Sequence, residues 1–191
     1  NKSKNIFRYV NLITKEDYIE KFNLIHKIYA NYYGKFNQSG YNEAISKVQT
    51  FLKKTDYQLQ IIPLYNDGQE NALFRALKLW EDVENNYKDI ITNYTQESDS
   101  IYKDFNTLML TNNLEGIMAF GYFISGLIYS LNKYGKIDGK ALKYNKDLYR
   151  GMKMDIASIL NYQRYIGKIL CFPHFMSSTD EPTVATRIEY Y

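Results

Sequence analysis

Two short stretches hold the residues whose types and spacing suit ligand chemistry: "LYRG" at 148–151 and "FPHFMSSTD" at 172–180. Arg150 stands between Tyr149 and Gly151 in a short run that reads as a strand. An arginine buried there without a partner is costly. An anion satisfies it, because a guanidinium matches phosphate geometry with two parallel hydrogen bonds. Gly151 leaves room for a ligand close to the backbone. A surface arginine on a strand edge, or one paired with a local Asp or Glu, explains the same letters without a ligand. In the second stretch Phe175 and Ser177 alternate with Met176 and Ser178, which puts the first two on one side of an extended chain. A ring there stacks on a planar ligand or packs the core, and a hydroxyl holds a carboxylate in place or contacts a sugar. Thr179, followed by Asp180 and Glu181, also reads as an ordinary helix start.

The elements that must position these residues change character along the chain. Asn1 to Leu12 reads as an arm. From Thr14 the pattern is helical, with Glu16 and Asp17 in the first turn and Ile19, Phe22, Ile25 and Tyr29 on one face, ending at Gly34. A second helix is predicted from about Asn42 to Lys54 through Ala44, Ile45, Val48, Phe51 and Leu52. "YQLQIIPLY" contains Pro63 and reads as an edge strand or connector. Ala72, Leu73, Ala76, Leu77 and Trp80 follow helical spacing, and Val83, Tyr87, Ile90 and Ile91 extend it. A further helix carries Ile101, Phe105, Leu108 and Leu110, and Leu114 to Lys133 forms the most apolar one, closed by "KYGK". After Gly139 a short strand, the amphipathic helix "DIASILNYQRYIGK", a second strand broken by Pro173 and a helix from "DEPTVATRI" are expected. The first three quarters are thus mostly helical and the last quarter mixed, an α+β order.

Composition excludes several function classes. The chain has 191 residues and a net charge of +3 from 24 basic and 21 acidic side chains. No basic block exceeds Lys53-Lys54, so nucleic acid is not an expected partner. Ile117 to Leu131 is shorter than the roughly 20 residues a bilayer span needs, so no membrane partner is expected. Cys171 is the one cysteine, which rules out an internal disulfide and a cysteine zinc set and suits a reducing, cytoplasmic setting. His26 and His174 offer neither a metal set nor a triad, and His174 reads as a packing or surface residue. The chain begins at Asn1 and closes on "IEYY", and it reads as an internal piece of a longer protein, part of a large assembly.

Tyr149-Arg150-Gly151, Gly167, Phe175-x-Ser177-Ser178-Thr179 and Ala185, in that order, resemble the arginine-specific mono-ADP-ribosyltransferase family. That branch is marked by an arginine, a Ser-Thr-Ser strand and a Glu-x-Glu loop. The resemblance covers about 71–185, with the helical part matched in texture only. It implies an α+β fold: a helical extension over 1–68, then the start of an ADP-ribosyltransferase-like mixed or antiparallel sheet core over 69–191. It implies NAD as substrate, with Arg150 on the phosphates, Gly151, Phe175 and Thr179 lining the site, and Ser177 positioning a catalytic glutamate. Ser178 and Thr179 stand where the family has threonine and serine. The Glu-x-Glu loop is missing, since Glu189 follows Arg187 and Ile188. The implied activity is transfer of ADP-ribose to an arginine of a protein acceptor. The alternatives are an inactive, scaffolding member of that fold in a larger assembly, with a protein as its partner, and an unrelated helical interaction module in which the two strands are a coincidence.

Overall fold

A computed structural model describes residues 23, 26–27, 29–32, 34–54, 73–96, 101–111, 113–137, 140–141, 145–152, 154–168, 172 and 174–187. The chain divides into two compact units, one within 23–142 and one that includes 143–191. The arm at 1–12, the helix start at Thr14 and the connector around Pro63 lie outside the described residues, as does the boundary expected near 68.

The first unit is a helical bundle. Its helices are α1 (Gln38–Lys54), α2 (Val83–Thr95), α3 (Ile101–Leu110), α4 (Leu114–Ala119) and α5 (Gly121–Tyr134). Short polar side chains start α1, α2 and α4: Asn37 accepts from the Gly40 N–H at 2.9 Å, Asp82 from Asn85 at 3.2 Å and Asn113 from Gly116 at 2.9 Å. The apolar spacing of α1 is realised, since Tyr41, Ala44, Val48, Phe51 and Leu52 are buried. Thus α1, within the expected extension, packs on α4 and α5 in this same unit. The tract around Trp80 is not one helix. It is helical at 73–77, tightens to a 3-10 turn over Lys78–Asp82 and restarts as α2. The most apolar helix is likewise broken at Phe120, where ψ rises to 5°.

The core forms around α5, in which every residue from Gly121 to Leu127 is buried. The Phe120 ring meets Phe51, Phe105 and Phe123 with centroids 6.4, 5.8 and 6.3 Å apart. Trp80 is wholly buried, and its indole N–H donates to the Phe123 carbonyl at 2.8 Å. The Tyr122 hydroxyl returns a bond to the Trp80 carbonyl at 3.2 Å. At the rim, Glu84 of α2 accepts from both Tyr129 and Lys133 of α5. Gly126 lets the indole approach: a Cβ there would stand 2.6 Å from Trp80 Cδ1 and 2.8 Å from Nε1. A rigid ring cannot yield that space. Gly126→Ala is therefore expected to lower stability by about 1–3 kcal/mol despite alanine's better helix propensity, as measured by urea denaturation.

The expected sheet core is absent among the described residues, which corrects the α+β assignment: those residues are mostly helical. What pairs is a two-residue hairpin, β1 (Lys136–Ile137) with β2 (Lys140–Ala141), and one isolated antiparallel bridge between Tyr149 and Thr179. The reason lies in the second unit. Leu148 and Met176 are 55% and 45% exposed, so the two predicted strands have no buried face to hold them in register. Among the described residues no third strand covers them, and two short strands alone do not make a stable sheet. The helix expected between them forms, though it stops at Gln163, short of the end expected near Gly167. It is α6 (Ile156–Gln163), capped by Asp155 and followed by turns to Gly167 at φ 79°. Then comes α7 (Pro182–Arg187).

Candidate functional site

The Tyr149–Thr179 bridge brings the two stretches together. Each residue donates its N–H to the other's carbonyl, at 2.7 and 2.9 Å. One residue beyond the bridge, Arg150 Nη1 donates to the Ser177 carbonyl at 2.6 Å. The arginine uses the serine backbone, so the Ser177 hydroxyl keeps its full bonding capacity. Arg150 is exposed, and no carboxylate among the described residues pairs with it. One guanidinium edge is thus oriented by the protein and the other N–H groups point elsewhere, an arrangement that suits a phosphate.

The other site residues are placed less tellingly. Thr179 spends its side-chain oxygen on the Glu181 N–H at 3.1 Å, the turn preceding α7. Its local role is therefore the helix-start chemistry that the Ser-Ser-Thr-Asp run also suggested. Asp180 is tied to Lys146 at 2.7 Å, a second strap between the two stretches. Gly151 and Phe175 are half-buried and border the arginine and serine in the chain. Among the described residues no group of three His, Cys, Asp or Glu side chains could hold a metal ion. No helix of the described residues is long and apolar enough to cross a membrane.

Sequence reasoning missed two neighbours of Arg150. The Tyr162 hydroxyl, on α6, and His174 Nδ1 are buried without a hydrogen-bond partner. Burial pushes the His174 pKa down to about 4, helped by the Arg150 charge, so the imidazole is neutral at pH 7. Burial raises the Tyr162 pKa, and the same arginine opposes that shift. Leaving such groups unpaired costs about 1–3 kcal/mol each. Nothing marked Tyr162 among 20 tyrosines. His174 carried a weak signal, a lone ionisable ring between Pro173 and the serine run.

A third group stands in the helical unit. Asp104 of α3 is 1% exposed, and neither carboxylate oxygen has a partner. Burial raises its pKa from 3.8 to about 7, with Lys103 working against the shift. Its signal was legible: Asp104 lies three residues after Ile101 and four before Leu108, on the face predicted to be buried.

No protein-family model, curated protein or solved structure matches the chain. The functional reading therefore rests on the site itself.

Proposed function

We propose that the Tyr149–Thr179 region binds the phosphates of NAD through Arg150, in a protein of the mono-ADP-ribosyl-transfer type. The observation that supports this reading is the Arg150–Ser177 bond, which joins the two motif stretches at one point. The unpaired guanidinium edge is the phosphate ligand, and the Ser177 hydroxyl is the group that contacts the ribose or orients a carboxylate. The reaction breaks the bond from ribose to nicotinamide and passes ADP-ribose to an arginine of a protein acceptor. Positive charge builds on the ribose as the bond stretches, and a carboxylate nearby stabilises it. Asp180 is paired with Lys146 and Asp155 caps α6, so neither is assigned that role.

Arg150→Lys keeps the charge and loses the planar fork. It is expected to weaken NAD binding by roughly 10–100-fold, the worth of one charge-assisted hydrogen-bonded contact of about 1.5–3 kcal/mol. Isothermal titration at fixed salt measures it. An unchanged dissociation constant rejects the phosphate clamp and leaves the scaffold reading, in which the chain serves a protein partner without chemistry.

A further inference from the structure

The Tyr162 hydroxyl and His174 Nδ1 need an explanation that packing does not provide. Buried polar atoms nearly always find a partner, and a phenylalanine would fill either place with no polar atom to satisfy. Both side chains feel the Arg150 charge, from α6 on one hand and from the segment leading into Ser177 on the other. Arg150 itself is exposed, and its one hydrogen bond among the described residues, to the Ser177 carbonyl, leaves its side chain able to turn onto an anion.

We propose that Tyr162 and His174 are ligand-binding residues of the Arg150 site, donating the phenolic O–H and the Nδ1–H to phosphate oxygens of the bound dinucleotide. This rests on the reading of Arg150 as a phosphate ligand. The site then combines one fixed charge with two neutral donors. In the ligand-free arrangement both atoms are shielded from solvent, so their pairing requires a local rearrangement of the site. The two groups are unsatisfied without ligand and satisfied with it. Binding thereby recovers the desolvation that folding left uncompensated.

The test uses Tyr162→Phe and His174→Phe in the 191-residue chain, which remove the polar atoms and keep the rings. NAD affinity is read by calorimetry, and the stability of the ligand-free chain by thermal denaturation. Each variant is expected to bind NAD about tenfold more weakly, one buried hydrogen bond's worth, with a melting temperature equal to or above wild type. His174→Asn, whose amide nitrogen takes the place of Nδ1, is expected to restore binding. A variant that binds as tightly as wild type removes that residue from the site. A variant that also lowers the melting temperature shows that the atom has a structural partner, which overturns the assignment. If Arg150→Lys weakens binding and neither phenylalanine variant does, the inference fails and the arginine site stands. If the wild-type chain binds no NAD, both fail.

Discussion

Asp104→Leu is expected to raise the free energy of unfolding at about pH 8 by roughly 4 kcal/mol. The carboxyl is buried with neither oxygen paired, and its pKa rises from 3.8 to about 7 through burial. Between those values the folded chain holds a proton that the unfolded chain has released. Unfolding free energy therefore falls as pH rises across that window. The contribution is fully present below 3.8 and lost as pH passes about 7. At about 1.4 kcal/mol per pH unit, three units give the figure above. Asp104→Asn removes the titration and should flatten this slope while leaving a polar group in the core. His174 works in the opposite sense. Its pKa is pushed down to about 4, so its contribution grows as pH rises from there to 6.5. Subtracting the Asp104→Asn profile from wild type, both by urea denaturation from about pH 4 to 8, isolates the aspartate. A difference that does not change with pH removes the buried-acid account.

Trp80→Ala is expected to cost about 3–5 kcal/mol, the usual loss for emptying a large aromatic site. It also leaves the Phe123 carbonyl without its indole donor. Trp80→Phe should cost less, since it refills part of the volume and forfeits only the bond. A double-mutant cycle gives the sharper result. Gly126→Ala is expected to destabilise the wild-type chain, because the added Cβ meets the indole at 2.6 Å, and to cost little once the indole is gone. Strict additivity, read by circular dichroism in denaturant, contradicts the contact.

The helical unit was largely legible because its signal is periodic. Val48, Phe51, Leu77, Trp80, Ile90 and Phe105 recur on helical faces in the sequence and are buried in the fold. Gly135 ends α5 where the "KYGK" run ended the expected helix. The breaks were not legible. Phe120 interrupts its helix directly before Gly121, where its ring meets Phe51, Phe105 and Phe123. The sheet was misread for a related reason. Alternation in "FMSST" marks a strand only where one face is covered, and exposure of Met176 shows that it is not. At the candidate site Arg150 meets the Ser177 carbonyl, a contact that residue types and spacing alone do not specify. Tyr162 carried no signal and His174 only a weak one, because what distinguishes them is a missing hydrogen bond, and that is a property of three dimensions.

Trp80 has one more consequence. It is the chain's one indole, and it belongs to the helical unit. An indole held away from water emits at shorter wavelengths than a hydrated one. Excited selectively, the protein thus carries a built-in optical label for one unit. A red shift reports the opening of the bundle around α5, and the segment bearing Arg150, which has no indole, contributes no colour of its own.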